Sequence, residues 1–251
     1  MTSGVYQHIL TSRTEGRKQL AVLIDPDGNS PEALRPTLDI ANAGGVDYLL
    51  VGGSLLLQDR MTETLTFIRQ HSRLPTIIFP ANGYHIHGDA DAFLLLSLIS
   101  GRNPELLIGK HVEAAPYLRK SGLEVISCGY ILIDGGRPTS VSYVSNTQPI
   151  PADKPDIAAC TALAGAQLGL RTVYLDAGSG ARRPVSETMI RAVRRQIDIP
   201  LLVGGGIRSV GAAEKALRAG ADLLVVGTAV EREPTFLREL TRLFQEINVV
   251  N

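Results

Sequence analysis

Three glycine-rich clusters, Gly178-Ser179-Gly180, Gly204-Gly205-Gly206 and Gly227-Thr228, each stand directly behind a short leucine-rich or β-branched run. Glycine has no Cβ, so its backbone N–H can come close to an anion, and repeating it behind neighbouring strands builds a cup for a phosphate monoester. One such cluster is equally well an ordinary turn; three in register, two of them behind the last two runs, favour the phosphate. Behind the first run lies Asp25-Pro26-Asp27, and behind the second Gly52-Gly53-Ser54. Two carboxylates and a hydroxyl form an oxygen-rich set suited to Mg²⁺, which keeps several waters and bridges to phosphate oxygens. The competing reading has Asp25 and Asp27 making Asx-type turns and Ser54 capping the next helix.

Asp176, within Tyr174-Leu175-Asp176-Ala177-Gly178-Ser179-Gly180, is the candidate general base. A carboxylate beside a bound phosphate accepts a proton from the ligand's hydroxyl, with Tyr174 orienting the ligand; the alternative is a loop-fixing hydrogen bond. His85 and His87 share one face of an extended segment but lack a third metal ligand, so surface or groove contact is expected of them. His111, beside Lys110 on a helix, is either packing or a diphosphate contact. Cys128 and Cys160 have no CxxC spacing and are both expected to be small buried residues.

Positioning these groups requires strands at regular intervals. Eight runs recur between amphipathic segments: Leu20 to Ile24, Tyr48 to Val51, Thr76 to Phe79, Ala92 to Leu96, Glu124 to Ser127, Thr172 to Leu175, Leu201 to Val203 and Leu223 to Val226. Eight is more than a doubly wound sheet normally holds, so the pattern predicts an α/β chain folded as one (β/α)₈ TIM barrel over residues 1–251. Helix starts are local. Asn103-Pro104 gives an N-cap followed by proline, Ser209 caps a helix that stops at Gly220, and Ser30-Pro31 opens an earlier helix that Pro36 kinks or delays. Residues 80–88, rich in glycine and proline, are too short for a crossover helix, so the third barrel helix is missing or replaced by an extended segment. Tyr130 to Lys154 reads as a long ordered loop that covers a site.

Composition narrows the ligand. With 25 basic and 25 acidic residues there is no electrostatic footprint for nucleic acid, and the absence of tryptophan leaves few stacking platforms. The longest apolar run, Ala92 to Ile99, is far shorter than the ~20 residues of a transmembrane helix. The N-terminal residues carry charges without an apolar core of a secretory signal, so a cytoplasmic location is expected. A small-molecule ligand follows.

The chain resembles the geranylgeranylglyceryl phosphate synthase family, which includes heptaprenylglyceryl phosphate synthases. The likeness runs through LIDPD (Leu23 to Asp27), VGGS (Val51 to Ser54), SGRNPE (Ser100 to Glu105), SNTQPIP (Ser145 to Pro151), YLDAGSGA (Tyr174 to Ala181), VGGGIRS (Val203 to Ser209) and VVGTAVE (Val225 to Glu231). YLDAGSGA and DKPD (Asp153 to Asp156) are most similar to the bacterial and second-group archaeal branch. The resemblance implies a barrel without its usual third helix and an ether-forming prenyl transfer. The expected substrates are sn-glycerol 1-phosphate and a long prenyl diphosphate, with geranylgeranyl diphosphate the expected donor.

By the same resemblance, Asp25 and Ser54 bind Mg²⁺. Tyr174, Leu175, Asp176, Ala177, Gly178, Ser179, Gly180, Gly205, Gly206, Gly227 and Thr228 bind glycerol 1-phosphate. A homo-oligomer is implied too, as is transient membrane-surface contact when the lipid product leaves. Three positions depart from the family pattern. Gly28 replaces a lysine common after DPD, Asp176 replaces a glutamate, and the segment resembling FPGSxxQ reads Phe79-Pro80-Ala81-Asn82-Gly83-Tyr84-His85. An apolar trench for the prenyl chain is expected beside the missing helix, lined by Tyr84, Phe93 and Leu96. Two rivals stand against this: another sugar-phosphate barrel enzyme, and a relative that binds the phosphate ligand without turnover.

Overall fold

Alternate residues along the strands face two different apolar layers, as a strand covered on both sides requires. In β1 (Gln19–Ile24), Leu20, Val22 and Ile24 pack outward against helices, while Ala21 points inward with Tyr48 and Leu50 of β2 (Tyr48–Gly52). The computed structural model describes residues 4–28, 30–58, 60–80 and 86–250. All eight expected strands form, pair in parallel in chain order, and close when β1 meets β8 (Leu223–Val226), giving a TIM barrel. The interior cluster joins Tyr130 of β5 (Glu124–Leu132), Tyr174 of β6 (Thr172–Asp176), Leu202 of β7 (Leu201–Gly204) and Phe79 of β3 (Thr76–Phe79).

A helix that the strand rhythm did not announce, α1 (Val5–Thr14), closes the N-terminal end of the barrel by inserting Val5 and Ile9 into that interior. It is tied there by Tyr6 N–H donating to Glu124 Oε1 at 3.2 Å and by a 2.8 Å bond between His8 Nδ1 and the Tyr48 hydroxyl. The opposite end stays open.

Local signals place most helices. Pro36 does delay the first outer helix: a 3₁₀ turn spans Pro31–Leu34, and α2 (Arg35–Asn42) carries Pro36 in its first turn, where its missing donor costs nothing. After α3 (Met61–His71), β3 leads to β4 (Ala92–Leu98) with no helix among the described residues, Pro80 and 86–91. Ala81 to His85, including Tyr84, lie outside the described residues. Asn103 Oδ1 accepts Glu105 N–H at 3.1 Å and starts a π turn (Glu105–Gly109) that runs into α4 (Lys110–Ser121).

Two expectations change here. β5 continues to Leu132, because Tyr130 to Leu132 pair with Tyr174 to Asp176, so the long loop begins only at Ile133. That loop is ordered by an Ile133–Ile150 bridge and by α5 (Ser140–Val144), which a Thr139/Ser142 capping box starts. Cys160, on α6 (Pro155–Gln167), is exposed rather than buried, since it lies off the helix face that buries Ala158, Ala159 and Ala162; Cys128 is buried in the barrel interior. Beyond β6, α7 (Glu187–Arg194) is capped by Ser186. α8 (Val210–Ala219) is capped by Ser209 and ends at Gly220 with φ 119°, as expected. A short α9 (Thr228–Arg232) and α10 (Thr235–Val250) follow β8. No helix of the described chain is long and apolar enough to cross a membrane.

Candidate active site

The residues behind β1, β2, β6, β7 and β8 converge on one cavity of about 300 Å³ at the C-terminal end of the barrel. Its walls include Tyr174, Asp176, Ser179, Gly180, Gly205, Gly206, Gly227 and Thr228, together with Asp25 and Ser54. Leu175, Ala177 and Gly178 do not line it. Leu175 lies between two inward residues and therefore faces the outer helices, so its side chain is no ligand contact.

The cup is built from backbone. Gly178, Gly180, Gly205 and Gly206 all hold φ between 71° and 85°, a region that only glycine enters freely. Among the described residues, the N–H groups of Ser179, Gly180, Gly205, Gly206, Gly227 and Thr228 make none of the turn, loop or cap hydrogen bonds. The Ser179 and Thr228 hydroxyls meet at 3.0 Å, joining the sixth loop to the eighth. Arg208, at the rim, donates to the carbonyls of Gly180 at 3.2 Å and Ala181 at 2.7 Å. Unengaged donors around a concave wall are an anion site.

Asp176 sits at the floor of the cup. Its Oδ1 accepts Gly178 N–H at 2.7 Å, and its Oδ2 accepts the Tyr130 hydroxyl at 2.5 Å. Burial raises its pKa above the ordinary carboxylate value, and these two hydrogen bonds pull the other way. The loop-fixing bond and the free lone pairs coexist on one carboxylate. Phe79, Tyr130 and Tyr174 stack edge to face beneath it, with centroids 5.5–6.1 Å apart.

Of the candidate metal set, Asp25 and Ser54 line the cavity and Asp27 does not. Asp25 faces the cavity, and its Oδ1 accepts Asp27 N–H at 3.0 Å in an Asx turn. Asp27, however, turns away and accepts Leu57 N–H at 2.5 Å and Gln58 N–H at 3.3 Å, holding the second loop. Ser54 lines the cavity and caps nothing, for α3 begins behind Arg60. Beside Asp25 the cavity holds a further carboxylate, Glu231 of α9, whose Oε1 accepts Asp25 N–H at 3.2 Å. Burial raises the pKa of both acids, and the Asp25 charge raises that of Glu231 further.

A second, apolar groove of about 190 Å³ opens beside the first, between β4 and α4. Phe93 and Leu96 line it as expected, with Leu98, Leu106 and Ala114. His111 lines it too, its Nε2 bonded to Ser97 Oγ at 2.9 Å and its pKa lowered by burial. The groove and the cup share Gly53, Ser54, Phe79 and Tyr130. His87 lies in neither, and pairs with Asp89 at 3.8 Å; His85 is outside the described residues. Tyr130, Arg208 and Glu231 were not singled out from sequence. For Tyr130 a signal exists: it falls on the same strand parity as Cys128 and Leu132, all inward.

A closed eight-stranded barrel with unengaged backbone donors behind β6, β7 and β8 defines a phosphate-binding barrel. Residues 13–246 match the PcrB family, and the chain belongs to that family. It is 53% identical to the geranylgeranylglyceryl phosphate synthase of Spirosoma linguale over 94% of this chain and 95% of that protein. With the corresponding enzyme of Chitinophaga pinensis it shares 48% identity over 96% and 95%. Among solved structures it is similar to (S)-3-O-geranylgeranylglyceryl phosphate synthase from Thermoplasma acidophilum in complex with sn-glycerol-1-phosphate. There the TM-score is 0.91 at 34% identity, covering 98% of this chain and 99% of that one.

Proposed function

We propose that this chain is a magnesium-dependent prenyltransferase joining a long prenyl diphosphate, geranylgeranyl diphosphate by the resemblance, to sn-glycerol 1-phosphate. The observation that carries the reading is the junction of two unlike chambers, a polar cup with unengaged backbone donors and an apolar groove, through four shared residues. A sugar-phosphate isomerase needs only the first chamber; a substrate with an anionic half and a hydrocarbon half needs both.

In this reading the N–H groups of Gly180, Gly205, Gly206, Gly227 and Thr228 hold the phosphate, and Tyr174 and Ser179 orient the glycerol. The 3-hydroxyl oxygen bonds to C1 of the prenyl chain, the bond from C1 to diphosphate breaks, and Asp176 accepts the hydroxyl proton. The groove between β4 and α4 holds the hydrocarbon chain and keeps water from C1. Asp25 and Glu231, with the Ser54 hydroxyl, fit a hard cation: the donors are all oxygen, and the two acids crowd each other without a lysine at Gly28. Bound there, Mg²⁺ supplies neutralisation of the charge on the departing diphosphate. The reading places a single-domain barrel in the cytoplasm, self-associated and touching a membrane surface as its lipid product leaves.

Incubating the protein with labelled glycerol 1-phosphate, Mg²⁺ and prenyl diphosphates of increasing length tests this directly. An extractable ether-linked product with equimolar diphosphate is expected. Ligand binding without diphosphate release would overturn it in favour of a non-catalytic relative.

A further inference from the structure

Two chambers that must exchange one bond need a fixed point between them, and Tyr130 occupies it. Its ring lines both the cup and the groove, and its hydroxyl donates to Asp176 Oδ2 at 2.5 Å. We propose that Tyr130 is a positioning residue for the transfer, holding the Asp176 carboxylate at the junction where the cup meets the groove. The inference rests on the base assignment made above.

Strand register puts the pair in reach. Leu132 lies opposite Asp176 in the β5–β6 ladder, so Tyr130, two residues earlier, faces the same interior and is the diagonal neighbour of Asp176. Diagonal neighbours on one sheet face are ~7–8 Å apart, a gap that a phenol spans and a shorter side chain does not. The ring itself has little freedom. It is 4% exposed, stands edge to face against Phe79 at 6.1 Å and Tyr174 at 5.5 Å, and is confined by the barrel interior.

The direction of the bond is also fixed. Burial, then the Asp176 charge, pushes the Tyr130 phenol well above its ordinary pKa, so it remains a donor and Asp176 the acceptor. With Gly178 N–H on Oδ1 and the phenol on Oδ2, one donor from the loop behind β6 and one from β5 set the carboxylate plane and leave one lone pair on each oxygen for the ligand. This matters most for an aspartate: with one methylene fewer than glutamate, its carboxylate has less reach, and its aim depends on what holds it. Tyr174, although adjacent, makes no hydrogen bond to Asp176 among the described residues, so the two tyrosines are not equivalent.

The experiment is Tyr130→Phe, which keeps the ring and removes only the donor. The titratable groups facing Asp176 are Tyr130 of β5 and Tyr174 of its own strand, while Asp25, Glu231 and Arg208 line the same cavity. The expected result is a fall in kcat of about 10-fold or more with KM for glycerol 1-phosphate within about twofold, at an unchanged melting temperature. In the same variant, free of ligands, ¹³C NMR of the Asp176 carboxyl should show a midpoint at least about one pH unit higher than in the parent, because the ionised form has lost a hydrogen bond. An unshifted carboxyl midpoint overturns the proposal whatever the activity. A raised KM at retained kcat also overturns it, and makes Tyr130 a ligand contact instead. If the parent protein forms no ether product while the carboxyl midpoint shifts, the hydrogen-bonded pair stands and the prenyl-transfer reading falls.

Discussion

The Asp25 backbone N–H donates to the Glu231 carboxylate at 3.2 Å, across 206 residues of sequence, and so fastens the first strand's loop to the helix behind the last strand. The closure of the barrel at β1 and β8 brings two half-buried acids to one wall of the cavity, where Glu231 follows Thr228 of the glycine cup on α9.

That wall yields the metal prediction. Activity should be lost in EDTA and restored by Mg²⁺, and Asp25→Asn should lower kcat/KM for the prenyl diphosphate by about 100-fold, the scale of a few kcal/mol of charge stabilisation. Glycerol 1-phosphate affinity, measured by calorimetry, should change little, since the cup's donors are backbone groups. Glu231→Gln should weaken Mn²⁺ binding followed by electron paramagnetic resonance; an unaltered affinity removes Glu231 from the set.

Asp176→Asn separates chemistry from binding. If the carboxylate takes the proton, kcat falls by roughly 10²-fold or more, because general-base contributions are of that size. KM for glycerol 1-phosphate stays near the parent value, for the cup's donors are backbone groups. A variant that keeps kcat and loses affinity assigns Asp176 to ligand anchoring.

The same residue sets a pH dependence. Burial raises the Asp176 pKa above its ordinary 3.8, so protonation removes the base as pH falls through that raised value. The acid limb of kcat should therefore lie above that ordinary value and vanish in Asp176→Asn, whose remaining rate should not follow the parent profile. Steady-state rates across the acid range, on enzyme shown to remain folded, provide the check.

Gly205 couples the cup to stability. A Cβ there meets Asp176 Oδ1 at 2.5 Å and the Ala177 and Gly178 nitrogens at 2.7 and 2.6 Å, on a backbone with φ 78°. Gly205→Ala should cost about 1–3 kcal/mol, or roughly 2–10 °C in melting temperature, besides weakening the phosphate. At Gly227 the nearest atom is Leu23 O at 3.2 Å and φ is not in the left-handed region, so Gly227→Ala should melt closer to the parent. Equal melting losses would contradict this geometry.

The two cysteines give a simple reading of the fold. Burial pushes the Cys128 thiol up to about 12, while Cys160 is exposed on α6. A thiol reagent at neutral pH should label one cysteine in the native protein and two after denaturation. Native labelling of Cys128 would contradict a packed barrel interior.

What the sequence determined is what depends on neighbours in the chain. The eight apolar runs became eight strands, Ser209 and Gly220 bounded a helix, and the glycines behind β6 and β7 took the positive φ that their lack of a Cβ permits. Each is a requirement of backbone or strand covering that a few consecutive residues express. Tertiary structure decided which side chains meet. Asp27 stands away from Asp25 because backbone donors at Leu57 and Gln58 claim its oxygens, and Glu231 lies beside Asp25 because β8 closes on β1. Tyr130 reached Asp176 because the β5–β6 register sets them as diagonal neighbours, and Cys160 was exposed because it lies off the face of α6 that buries Ala158, Ala159 and Ala162. Such meetings depend on register, strand closure and helix rotation, which long-range packing fixes and no local spacing encodes.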